Sequence, residues 1–544
     1  MQYLRAAAVL CVAAALVAGW TLIQPAIGSV SQIAATATTA TYYVRPGGNN
    51  AASGTSPASA WRTLSRASRA TLRPGDKLLL LGRHVYHGKL MIGPTDAGRP
   101  GKPILVSSYG HGRATISSAS SGIVIYDTSG VTIRNLVIVG NNALNASKAG
   151  IQLYSDLSGR MLGHVFINRV DASRFGFGIA IGAAHDGGGF RNVRITQTSL
   201  HANLDAGLTS YGPDFNAGAP AYAHKDFYLS GVKAFGNLGD PQEVAHNTGS
   251  GIELGAVNGA TVTRSVAYGN GGKGGATAEG PIGIWAYDST RVAFTHDVSR
   301  GNRSDNAPDG GGFGLDRECS HSVMEYNLSY GNDGAGFLLF SAREAAGAAT
   351  NNIVRFNISY NDAKGRKLVT GAMTVGGRVR NSILYQNTIV VRPGAIQPAF
   401  KVSGLEHNVK VLNNILAGGS GKVVVAAQPM TTDNIAFAGN DYVVPSGVPV
   451  FQWGTRHQYD SLDAWRLATG EEHKPLGRDT GLTAWPWFVG PLSVAHRAAG
   501  FRLRQDSKLH HAGLNLLRTF GIRQGPVYFA GTPYHLRAPN IGAQ

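Results

Sequence analysis

The chain has 544 residues, 43% of them hydrophobic, enough for a large core, and its 73 glycines fit a fold made of many tight corners. Only 15% of residues are charged, yet the net charge is +17, which favours an anionic partner unless it is a habit of lineage: a uronate-bearing polysaccharide, an anionic envelope glycan or nucleic acid. Of two cysteines, Cys11 lies in the first apolar run and Cys319 stands alone, which excludes a disulfide-stapled scaffold.

Residues 1–28 open with Arg5 and an apolar run of secretory length, so they read as a signal peptide or a retained N-terminal anchor. A secreted or periplasmic protein is expected, membrane-anchored if the segment is kept. Residues 29–40 are low in complexity and read as a disordered leader. From Thr41 to about Ser120 come strands and one helical piece, SAWRTLSRASRATL, suited to capping the open end of a solenoid.

Next come strand-rich segments whose loops lengthen toward the middle of the chain, as a binding face requires. Four of them align on their first apolar residue: SGIELG from Ser250, IGIWAY from Ile282, GGFGLD from Gly311 and AGFLLF from Ala335. Each is followed by a run ending in Asn, at Asn270, Asn302, Asn332 and Asn361, giving periods of 32, 30 and 29 residues. No helical apolar stripe runs through them, so the repeat is a solenoid of strands and not an array of helix pairs. Equivalent residues then form columns, and Asn203, Asn237, Asn270, Asn302, Asn332 and Asn361 read as an amide ladder at a tight corner. The coils occupy residues 41–430. Residues 431–544, with Trp453, Trp465, Trp485, Trp487 and the short helix SLDAWRLATG, read as a C-terminal cap region whose basic run HRAAGFRLRQDSKLHH offers either a solvated surface or a contact for anionic glycan.

The opening TYYVRPGGNNAASGTSPASAWRTL, the segments PGDKLLLLG and PILVSSYG, the coils and the closing AGTPYHLRAPNIGAQ resemble the secreted bacterial right-handed parallel β-helix proteins of the pectate-lyase-like superfamily. The resemblance implies an all-β right-handed parallel β-helix that acts on or binds a polysaccharide. It does not choose among hydrolase, lyase, epimerase and binding protein.

The chemistry is expected on outward strand faces. With Ile252, Leu254, Ile284, Phe313, Leu315, Phe337 and Leu339 inward, alternation turns Glu253, Trp285, Tyr287, Asp316 and Phe340 outward. Carboxylates beside aromatic platforms suit a sugar site. Asp309 and Asp333 both stand four residues before an inward Phe, so they are expected to stack, and Asp362 extends the column. Three uses compete for such Asp residues: the catalytic set of a glycoside hydrolase, a calcium site, or caps of Gly-rich corners. The favoured reading makes Asp309, Asp316 and Asp333 catalytic, with Glu253, Trp285, Tyr287, Arg317 and Arg343 binding substrate and no cofactor. The alternative is a lyase or epimerase on an acidic polymer, with Asp309, Asp333 and Asp362 holding calcium. Its candidate bases are Lys273, Arg317, Arg343 and Lys364, although no lyase motif is matched. The rival from another class is a glycan-binding envelope protein. In every case a polysaccharide partner, no nucleic acid and a monomer are expected.

GFGFGIAIG precedes a strand where a dinucleotide site needs a helix, and GNGGKGG lacks the spacing of a phosphate loop.

Overall fold

Each repeat begins with an alternating strand whose inward residues can be buried only against the next repeat, so the coils stack. A computed structural model describes residues 39–145, 147–304, 307–365, 370–490 and 498–543. The expected signal peptide and the leader up to residue 38 lie outside the described residues. The described chain is nearly all β, a parallel β-solenoid of about 12 turns. A central coil contributes three strands, as in Ile282–Tyr287, Thr290–Thr295 and Val298–Arg300. The first joins a 14-stranded sheet and the other two a 25-stranded array, parallel between coils except for one antiparallel hairpin near the C-terminal end.

The inward set is as the alternation demands. Ile252, Leu254, Ile284, Phe313, Leu315, Phe337 and Leu339 are all buried in one continuous core, and Phe313 stacks on Phe337 with ring centroids 5.3 Å apart. Stacking equivalent rings coil upon coil packs the narrow interior.

The amide ladder forms with one change. Asn203, Asn237, Asn270, Asn302 and Asn332 each pass a side-chain N–H to the Oδ1 of the next member at 2.8–3.0 Å, and each backbone N–H goes to the same oxygen. The sixth member is Asp362 and not Asn361. Asn361 adopts φ +52° at the corner, and the following residue turns inward to accept from Asn332 and from the Ser359 hydroxyl at 2.7 Å. A second ladder was not anticipated: Asn327, Asn357, Asn387, Asn414 and Asn440 are linked in the same way. It ends on Glu472, which accepts the Asn440 side chain and the Tyr442 phenol. Both columns therefore run in one direction and end on a carboxylate.

Two expected boundaries shift. The helical piece near the N-terminus is a single turn, Leu64–Ala67, started by the Thr63 hydroxyl. It stops because Ser68 turns its own hydroxyl back onto the Leu64 carbonyl while accepting the Met91 N–H. At the other end, coiling continues past residue 430: Ile435–Ala438, Asp441–Val443 and Val450–Trp453 still pair in parallel with the preceding coil. The helix Leu462–Thr469 follows, capped by Ser461 and by Gly470 in the left-handed conformation. Its Trp465 closes the core by stacking on Phe451 at 4.5 Å.

Candidate functional site

On the first strand of each coil the outward columns run side by side. In one, Glu253, Trp285, Gly314 and Leu338 are aligned. In the next, Gly255 is aligned with Tyr287, and Asp316 follows in the adjacent coil, its N–H bonded to the Ala286 carbonyl at 2.8 Å. Glycine here has a local purpose. A Cβ at Gly255 would strike the Tyr287 ring, which lies down across that position.

Carboxylates crowd this face. Asp316 is half-buried, and burial, reinforced by the charge of Asp309, pushes its carboxyl up to about 7. Asp309 is pushed up to about 6 by burial, against the Gly280 N–H that bonds it at 3.1 Å. Glu253 reaches about 8 through burial and the charge of Asp205, with Arg317 pulling the other way. Its carboxylate makes no hydrogen bond among the described residues. Arg317 is the cation of the cluster. It bonds Glu279 at 3.1 Å, sits 6.0 Å from the Tyr287 ring and faces Asp316 and Asp288. Its backbone N–H holds Asp316 Oδ1 at 2.6 Å, so one residue fixes the Asp316 carboxylate and supplies a neighbouring charge. The arrangement can hold protonated and ionised carboxyls on one face near neutral pH, as general acid–base chemistry requires.

Several expected positions are not part of it. Asp333 shares the backbone level of Asp309, since the Gly334 N–H bonds the Gly310 carbonyl, but its side chain turns to the Ser304 N–H and to Lys364 at 3.8 Å. The expected stack of Asp309, Asp333 and Asp362 is thus replaced by three separate environments, Asp362 being buried in the amide ladder. The carboxylates diverge because backbone N–H groups at each corner satisfy them one by one. No group of three or more His, Cys, Asp or Glu side chains among the described residues is arranged to hold a metal ion, and the set expected to hold calcium does not fit one. Trp285 is not an exposed sugar platform. It is 6% exposed, packed with Ile282, Ala335 and Leu338, and its indole N–H bonds Ser250 at 3.1 Å. A Cβ at Gly314 would crowd Ile282 at 3.0 Å and the Trp285 Cβ at 3.3 Å, so glycine there leaves room for this outer apolar cluster. Tyr287 and Phe340 are half-buried against the same cluster. Arg343 is exposed and makes no side-chain contact that joins it to the site.

The sequence reading missed four acidic residues. Asp205 stands just before the strand Ala206–Tyr211 and rises to about 7 by burial and the charges of Glu243 and Asp240. Its place immediately ahead of an apolar strand start resembles that of Asp309, a signal legible in the repeat. Glu279 comes from a long loop, and no register predicts its reach. Asp288 occupies the corner after Tyr287 with φ +45° and is raised to about 8 by burial and a hydrogen bond to Glu318. Glu318 is buried and holds the Gly347 N–H at 2.6 Å. Cys319 is wholly buried and its thiol is pushed well up, which makes it a packing residue.

No family model matches the chain, and no curated protein matches it in sequence. Among solved structures it is similar to GH136 lacto-N-biosidase from Eubacterium ramulus. The selenomethionine derivative aligns with 16% identity and a TM-score of 0.52 over 68% of this chain and 67% of that one. The native protein aligns with 16% identity and a TM-score of 0.51 over 66% and 65%, so about two thirds of that enzyme's length is spanned. The likeness is one of fold, a parallel β-helix. A pectate lyase, Pel9A, aligns over 93% of this chain and 96% of its own at 17% identity and a TM-score of 0.44.

Proposed function

We propose that the protein is a carbohydrate-active enzyme, a glycoside hydrolase that cleaves an extracellular polysaccharide at the face bearing Asp309 and Asp316. The observation that carries this reading is the acidic face itself: half-buried Asp309 and Asp316 flank the strand Gly311–Leu315 and are lifted to about 6 and about 7, the charge of Asp309 acts on Asp316, and Arg317 stands beside Asp316 and Tyr287. Asp316, with the higher affinity for a proton, protonates the leaving glycosidic oxygen. Asp309, ionised at the same pH, serves as base or nucleophile on the other side of the anomeric carbon. The bond broken is that between the anomeric carbon and the leaving oxygen. The elements of water are shared between the two products, and Asp316 recovers its proton at the end of the cycle. Glu253 and Arg317 are positioned to contact sugar hydroxyls.

The charge balance of the cluster points to a neutral or amino sugar at the cleavage point. Among the described residues the cluster holds one guanidinium, Arg317, which Glu279 already engages, while burial lifts Asp205, Glu253 and Asp316 toward the neutral form, so no free cation is left to pair a uronate. The same balance weakens the lyase reading, which needs a cation to neutralise the uronate. Export to the cell exterior rests on the apolar N-terminal run and belongs to this proposal.

The test is a product assay on the purified mature protein with neutral and acidic polysaccharides, following reducing ends and the ultraviolet absorbance of unsaturated uronates together. Reducing ends without absorbance support the hydrolase. Absorbance would make it a lyase. Retention of a polymer without turnover would make it a binding protein.

A further inference from the structure

The cap contains a second feature, remote from the acidic face and opposite to it in charge. A cavity of about 770 Å³ opens between the corner at Gly439, the stretch 476–482, the stretch 511–519 and the tail at 537–541. Leu482, Leu514 and Ile541 contribute apolar parts of its lining. Asn413 fixes its walls: the side chain exchanges two hydrogen bonds of 2.9 Å with the backbone of Leu514, and its carbonyl accepts the Gly542 N–H at 2.9 Å. Three arginines reach this cavity from three different stretches, Arg478, Arg518 and Arg537. All three are exposed, and none has a side-chain hydrogen bond or ion pair among the described residues. The carboxylate in the lining, Asp479, is held by His473 at 2.6 Å and approached by Arg466 at 3.8 Å. Guanidinium groups gathered without counter-charges repel one another until an anion joins them, and their planar forks match carboxylate and phosphate oxygens.

We propose that this cavity is a binding site for the anionic groups of a glycan, carboxylate or phosphate, separate from the cleavage face. Four steps of the second amide ladder separate Asn327, in the coil of Asp316, from Asn440 beside the cavity. At about 4.8 Å per coil that is roughly 19 Å. The site therefore anchors the enzyme on a charged polymer while leaving the acidic face to a neutral segment. The choice of a glycan rests on the carbohydrate reading above, whereas the anion chemistry does not.

The experiment is affinity electrophoresis of the full mature chain in gels containing polygalacturonate, a poly(glycerol phosphate) or neutral dextran. The cap variant is Arg478→Gln/Arg518→Gln/Arg537→Gln. A variant of equal charge change, Lys77→Gln/Lys89→Gln/Lys102→Gln, removes exposed cations elsewhere. Matching circular dichroism and melting establish that both fold. The expected result is retardation by an anionic polymer but not by dextran, weakened at least tenfold in the cap variant and within twofold of the native chain in the control. The polymer that retards more strongly identifies the anion. Equal loss in the control, or no loss in the cap variant, overturns the proposal in favour of diffuse surface charge. Turnover measured on the cap variant reads the cleavage face separately, so loss of one function is distinguishable from loss of the other.

Discussion

Replacing Asp316 with Asn keeps its size and the hydrogen bond from the Arg317 N–H but removes the proton that the reaction consumes. General-acid assistance contributes about 10²- to 10⁴-fold, so kcat/KM on a natural glycan falls by that factor, about 3–5 kcal/mol in activation free energy. The pH profile adds a sharper test. With Asp309 at about 6 and Asp316 at about 7, the productive form carries the proton on Asp316 and the charge on Asp309. Its population peaks near about pH 6.5 and is about sixfold lower at about pH 5 and at about pH 8. Below the window Asp309 is protonated and inert; above it Asp316 has lost its proton. In Asp316→Asn the alkaline limb disappears, and an aryl glycoside whose leaving group needs no protonation recovers most of its rate. Initial rates from pH 4.5 to 9 on both substrates supply the measurement. Activity within threefold of the native chain on the natural glycan, or an alkaline limb that persists in the variant, would refute the assignment.

Three more outcomes follow from the same geometry. Asn357→Ala removes an amide that bonds Asn327, Met324 and Asn387 inside the second ladder, and should cost about 3–5 kcal/mol because buried partners are left unpaired; a loss under about 1 kcal/mol in urea unfolding would contradict the load assigned to the column. Asp288→Asn should stabilise the protein increasingly as pH rises. The Asp288 carboxyl is raised to about 8 in the folded chain, so the stability it contributes is present below the unfolded pKa of about 4 and lost as pH climbs through 8; melting temperatures at pH 5 and 9 that shift equally would count against it. Gly255→Ala places a methyl group against the Tyr287 ring, and should cost about 1–3 kcal/mol and displace the tyrosine, read from the melting temperature and tyrosine fluorescence.

What the sequence disclosed follows from what repeats. Phe313, Leu315, Phe337 and Leu339 alternate at a fixed period, and burial on one face is the only way such a period is satisfied, so the inward set and the first five Asn of the ladder were legible. The second ladder was not, because its members follow residues as unlike as Tyr326, Phe356 and Gln386, all held at positive φ, and no shared neighbour marks the column. At the site, alternation gave the outward direction of Glu253 and Asp316 but not what lies above them. Trp285 points outward and is still buried, because an outer cluster with Leu338 covers it. Asp333 occupies the level of Asp309 and turns to Lys364, a choice made by local donors. Glu279 arrives from a loop whose path no periodicity encodes.

The one-way amide columns also set how the molecule can change in length. An interior Asn both accepts from the coil before it and donates to the coil after it, so a duplicated coil of 26 to 34 residues inserts between any two members with every partner restored. Asp362 and Glu472 accept but have no side-chain N–H to pass on, so each closes its column at that coil. Growth or shortening by whole coils is therefore tolerated between members of a column; the first column ends at Asp362 while the coils run on, and the second ends at Glu472 near the C-terminal end of the stack. That places variation in the number of coils, and so in the span of the outward strand faces, within the columns and not at their closing carboxylates.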